Sequence, residues 1–163
     1  MSAIHLSTYL RDHLAGADAA VEIMDHIESS HGEASAGAAV RQVRPEILAD
    51  RAELARLVET LGHSASTPRR VFGWLAEKTV ELKLKIDDPS DGQLRLLESL
   101  EILSLGIEGK LGLWKALDGS TAGARVGGTT DYNRLIQRAQ LQRELIEAER
   151  LRAARALFVS GTE

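Results

Sequence analysis

The chain contains no cysteine. That absence excludes disulfide scaffolds, thiolate metal sites, iron–sulfur clusters and cysteine nucleophiles together. Aromatic residues make up only 4% of the sequence, so leucine and alanine must fill most of any core. The five histidines, His5, His13, His26, His31 and His63, all lie in the first 63 positions. Long uncharged runs are missing too. The most apolar stretch, Leu94 to Leu117, is interrupted by Arg95, Glu98, Glu101, Glu108, Lys110 and Lys115, which argues for a soluble core helix over a membrane span. There is no excess of positive charge: the net charge of −4 offers no general attraction to nucleic acid or to anionic lipid. The opening residues, MSAIHLSTYLRDHLAG, show no basic stretch followed by a long apolar run, so no secretory signal is visible. Together with the missing cysteine, this sets the expectation of a cytoplasmic protein.

What is present reads as helix. At 163 residues the chain has the length of one domain, spanning 1–163, which would bury roughly 70% of its unfolded surface. Leu6, Leu10, His13, Leu14, Ala17, Val21, Met24 and Glu28 recur at helical spacing. They predict a first helix from about Ser2 or Ser7 to Ser29, closed by Gly32. A second runs from roughly Ala34 to Leu61, with Pro45 expected to kink or restart it. Ser64 to Pro68 would cap a shorter helix, Arg69 to about Leu84, and the segment from Asp87 to Gly92 is the clearest break. A third long helix then extends to Leu117. Its leucines occur on more than one side, so much of its circumference should be buried. A glycine-rich connector, Asp118 to Thr130, precedes a fourth long helix from Asp131 to about Phe158, capped by Asp131 or Thr130. No strand alternation and no repeat is visible. The expected fold is an all-α four-helix bundle with an additional helix in the crossover from the second to the third long helix. A connection of that length permits those two helices to run parallel.

The residues that could carry chemistry are acids and histidines on these helices. A di-metal centre in such a bundle takes one Glu from each of two helices and a Glu-x-x-His from each of the other two. Here a single Glu-x-x-His occurs, Glu28 to His31, at the end of the first helix. His13, Asp50, Glu53, Glu101, Glu108 and Glu149 are the other inward candidates, and Leu135, Ala139, Gln142, Ile146, Glu149 and Ala153 share one face of the last helix. Cations accompany them: Arg51, Lys110, Arg138 and Arg150. Acids beside arginines are more readily explained as ion pairs than as half of a metal cage. Gly106, Gly109 and Gly112 would each cost roughly 1 kcal/mol in a helix relative to Ala, which suggests close approach of another backbone. Trp74, Glu77 and Lys78 on the shorter helix read as an amphipathic crossover, or else as a lid. Arg125 among the connector's four glycines could hold an anion, but a plain connector is the simpler reading. No Gly-x-Ser-x-Gly nucleophile motif is present.

Several segments together resemble an uncharacterised bacterial family of the ferritin-like superfamily. They are Leu10-x-x-His13-Leu-Ala-Gly-Ala17, Pro45-Glu46-Ile-x-x-Asp50-Arg51-x-x-Leu54, Trp74-x-x-Glu77-Lys78, Leu97-Glu98-x-Leu100-Glu101 through Gly109-Lys110, Arg138-Ala-x-x-Gln142 and Glu149-x-Arg. The resemblance covers nearly the whole chain. It implies a ferritin-like bundle, and the wider superfamily implies oxygen activation, iron storage or DNA protection. The sequence departs from that superfamily at the metal-binding histidines. The expectation is therefore a non-catalytic binding or structural module without cofactor. In it a polar network of His13, Asp50, Arg51, Glu101, Lys110, Arg138, Gln142 and Glu149 stands where the metals would be. The alternatives are an iron- or manganese-dependent oxidoreductase, drawing on Glu28 and His31, or on His13, with Asp50, Glu101, Glu108 and Glu149, and a carrier of an unidentified small molecule. A homodimer is the expected assembly, from the apolar character of the third long helix.

Overall fold

The computed structural model describes residues 3–62 and 92–159. The predicted crossover helix, Arg69 to Leu84 with Trp74, Glu77 and Lys78, lies outside the described residues, as does its Ser64 to Pro68 cap. Among the described residues the structure is all helical: α1 (Ala3–His31), α2 (Ser35–Thr60), α3 (Gln93–Asp118), α4 (Thr121–Gly127) and α5 (Tyr132–Val159). None of these helices is long and apolar enough to cross a membrane.

The chain reverses between α1 and α2 over residues 32–34, and that tight reversal explains one glycine. A Cβ on Gly37 would lie 2.5 Å from the His31 carbonyl oxygen and 2.7 Å from the Gly32 Cα. α2 continues through Pro45 without a break. Pro45 is exposed, so water can reach the helix where the missing N–H leaves a carbonyl unpaired. Asp131 caps α5 by accepting from the Arg134 N–H at 3.0 Å, as its position predicts.

The connector differs from expectation. It contains a helix, α4, where the glycines suggest a loop. Ser120 caps it by accepting from the Gly123 N–H at 2.9 Å, and Tyr132 donates its hydroxyl to the Gly123 carbonyl at 3.0 Å. A Cβ on Gly123 would lie 2.0 Å from the Leu117 carbonyl oxygen. The glycine is there because α4 folds back against the end of α3. The close approach expected at the three glycines of α3 is not made by any described residue. A Cβ at Gly106, Gly109 or Gly112 meets no described atom within 4 Å. No described backbone presses against them.

The long helices pack in a ring, α1 on α2, α2 on α5, α5 on α3 and α3 on α1. Cross-helix pairs give their directions. Glu101, Ser104 and Glu108 of α3 meet Arg150, Glu147 and Arg143 of α5, so partners fall along α5 as positions rise along α3. Asp18 and Asp25 of α1 meet Arg51 and Arg44 of α2, again antiparallel. Ser35 and Asp50 of α2 meet Glu149 and Arg138 of α5 in the same sense. It follows that α2 and α3, which sit diagonally, run parallel.

The core is two apolar clusters stacked along the bundle. One contains Met24, Ile47, Ile107 and Ile146, and the other Leu10, Leu54, Leu111, Trp114 and Ala139. Between Ile47 and Leu54 comes Asp50, between Ile107 and Leu111 comes Lys110, and between Ala139 and Ile146 comes Gln142. A polar layer divides the core at mid-height.

Candidate functional site

Each helix face delivers its polar residue to this layer because the apolar stripe is interrupted there by one position. Asp50, 1% exposed, is the layer's centre. Lys110 of α3 reaches across the bundle diagonal and places Nζ 2.6 Å from Asp50 Oδ2. Arg138 of α5 holds the other carboxylate oxygen, Oδ1. Gln142, also 1% exposed, accepts from Lys110 through Oε1 and donates through Nε2 to Glu46 at 3.1 Å and to Asp50 at 3.4 Å. Burial lowers the Lys110 pKa and the neighbouring Asp50 carboxylate opposes it. Both oxygens of Asp50 are thus engaged by cations, and Gln142 ties α2, α3 and α5 through one amide. The dehydration of these charges is offset by mutual pairing and by bonds to the remaining lone pairs.

His13 of α1 stands at the same height and lines a cavity of about 40 Å³ with Gly16, Ile107, Leu113, Trp114 and Asp50. That volume admits only water-sized molecules. Burial holds the His13 pKa down at about 4, and the Tyr9 ring lies edge-on to it at 4.6 Å. The imidazole is therefore neutral at neutral pH. The indole N–H of the fully buried Trp114, beside the same cavity, has no acceptor among the described residues.

The other candidates stand elsewhere. Arg51 turns outward to Asp18 at 2.6 Å, though it borders the cavity. Glu149 is buried near the far end of the bundle, accepting from Ser35 Oγ at 2.7 Å and paired with Arg152. The placement of Glu101 and Glu108 inside the bundle is corrected. Their side chains are 57% and 53% exposed on the outer stripe of α3, facing Arg150 and Arg143. Glu28 is engaged by Arg44 at 2.7 Å, and Arg44 also holds Asp25. Glu28 and Glu108 are thus held by arginines of different helix pairs, and no three His, Asp or Glu side chains converge on a metal position among the described residues. The donor set of the polar layer does not fit a di-metal centre either. Two cations surround its central acid, where such a centre needs several acids around two cations.

Two features were not among the expected site residues, although Glu46 stands in a segment that carries the resemblance. Glu46 joins the network through Gln142, and its signal was the i, i+4 spacing to Asp50. The second is a cleft of about 530 Å³ at the bundle end, between α1, the last turn of α2, the end of α3 and α4. Leu6, Leu117 and Val126 form its apolar wall, and His5, Tyr9 and Arg125 its polar edge. Its volume is that of a small-molecule site. No family model, curated protein or solved structure matches this chain, so its chemistry rests on these residues alone.

Proposed function

We propose that this protein is a non-catalytic, ferritin-like helical-bundle module that binds a small molecule, with an ion-paired polar layer in the place of a di-iron centre. The parallel α2 and α3 joined by a long connection, and the polar layer at mid-height, support the ferritin-like part of this reading. The observation that carries the absence of metal chemistry is the surrounding of Asp50 by Lys110, Arg138 and Gln142. A carboxylate so engaged has neither a free oxygen for a divalent ion nor a vacant role as a base.

Metal analysis tests it. Protein purified from iron- and manganese-supplemented growth is expected to carry only trace metal. Near-stoichiometric iron or manganese, lost on Asp50→Asn or Glu101→Ala, would overturn the proposal and restore the oxidoreductase alternative.

A further inference from the structure

We propose that the cleft at the α4 end of the bundle binds an organic carboxylate with an apolar body, Arg125 taking the carboxylate and the leucine wall taking the body. This names the ligand class of the binding module and rests on that reading.

The charge around the cleft points to an anion. The chain carries 24 acids and a net charge of −4, yet among the described residues no Asp or Glu lines this depression. Arg44, Arg51, Arg56, Arg138, Arg143, Arg150 and Arg152 are all ion-paired within the bundle. Arg125 has no acid partner among the described residues. A guanidinium presents a planar fork that matches a carboxylate bidentately. One such fork balances one negative charge, which suits a carboxylate better than a dianionic phosphate.

The backbone that carries Arg125 is anchored before any ligand arrives, while its exposed side chain is ordered on binding. α4 is held by its Ser120 cap, by the Tyr132 hydroxyl on Gly123 and by the contact of Gly123 with the end of α3. Pre-positioning of this kind lowers the ordering cost of binding. Two further donors face the same space. The Tyr9 hydroxyl has no partner among the described residues, and its ring is steadied against His13. Burial raises the Tyr9 pKa, so the phenol keeps its proton and can donate. His5 supplies an imidazole at the rim. The Ser120 and Thr60 hydroxyls, by contrast, already donate to the Leu117 and Arg56 carbonyls. The remaining lining is apolar, with Leu117 and Val126 buried as its floor.

The test uses the full chain and four probes followed by NMR titration: octanoate, octan-1-ol, octylamine and acetate. Octanoate is expected to bind most tightly and to shift the Leu6, Leu117 and Val126 methyl resonances. Arg125→Gln should weaken octanoate about tenfold, equivalent to about 1.4 kcal/mol, and leave octan-1-ol unchanged. Arg125 is exposed, so the variant should keep the fold, which its spectrum checks directly. The proposal is overturned by octylamine or octan-1-ol binding as well as octanoate, by an unaltered affinity in Arg125→Gln, or by no binding at all. Metal content measured on the same preparation reports separately on the ion-paired layer, so the two readings fail by different results.

Discussion

Glu108 and Lys110 are two residues apart on α3, and each has an oppositely charged partner at the same 2.6 Å. The Glu108 side chain is 53% exposed and meets Arg143, 46% exposed. The Lys110 side chain is 15% exposed and meets Asp50, 1% exposed. Equal distances therefore conceal different energetics. Around Glu108 water already solvates both charges, so the pair gains little beyond what solvent gives. Around Asp50 the charges have lost their water, and the pairing replaces it. Contact distance says that two groups meet; burial says what happens when one of them is removed.

The sharpest way to break this comparison is to remove the acid that two cations share. Asp50→Ala leaves Lys110 and Arg138 facing each other across a dehydrated layer. The expected loss is about 3–5 kcal/mol, read from the urea unfolding midpoint. Lys110→Met is expected to cost less, about 1–2 kcal/mol, because Asp50 keeps Arg138 and Gln142. Equal losses in the two variants would show that Lys110 and Arg138 do not share one carboxylate.

His13 extends the comparison to a third group at the same height. Its folded pKa is about 4 against the ordinary 6.5, because burial disfavours the imidazolium. Between those values the unfolded chain takes up the proton and the folded chain does not. Stability from this group is therefore full above about pH 6.5, declines as the pH falls, and is gone below about pH 4. The total is on the order of 3 kcal/mol. Unfolding midpoints at about pH 7 and about pH 4.5, measured beside His13→Gln, isolate it. The variant should show a shallower loss on acidification; identical slopes would place the imidazole in water.

These contrasts also explain what was legible in the sequence. Asp50, Lys110 and Gln142 could be found because each interrupts an apolar stripe, and a lone polar position there must point inward. The parallel course of α2 and α3 was legible from the length of the chain between them. The direction of Glu101 and Glu108 was not. Leu94, 39% exposed, and Leu105, 43% exposed, lie on the same outer stripe, so hydrophobic spacing marks no polar face on α3. Only the arginines of α5, more than thirty positions away in sequence, settle which way those acids turn. α4 was hidden for a related reason. Its glycines answer to the carbonyl of Leu117 and the ring of Tyr132, contacts that do not exist until α3 and α5 are in place. The cleft, built from parts of four helices, has no local signal beyond Arg125.

The smallest expected effect is also the one that tests the comparison from the exposed side. Glu108→Gln removes the charge from a pair whose length equals that of the buried one. If distance determined its worth, the loss would rival that of Lys110→Met. Both partners are about half exposed, so water and salt screen their attraction, and holding two long side chains together carries an entropy cost. The expected change is about 0–1 kcal/mol, shrinking further when salt is raised from about 0.05 M to about 1 M. The Lys110→Met loss should be nearly independent of salt, because no ions enter the layer between the two apolar clusters. A Glu108→Gln loss above about 2 kcal/mol that persists in high salt would mean that α3 and α5 shield this pair from water, and the distinction between the two faces of α3 would fall.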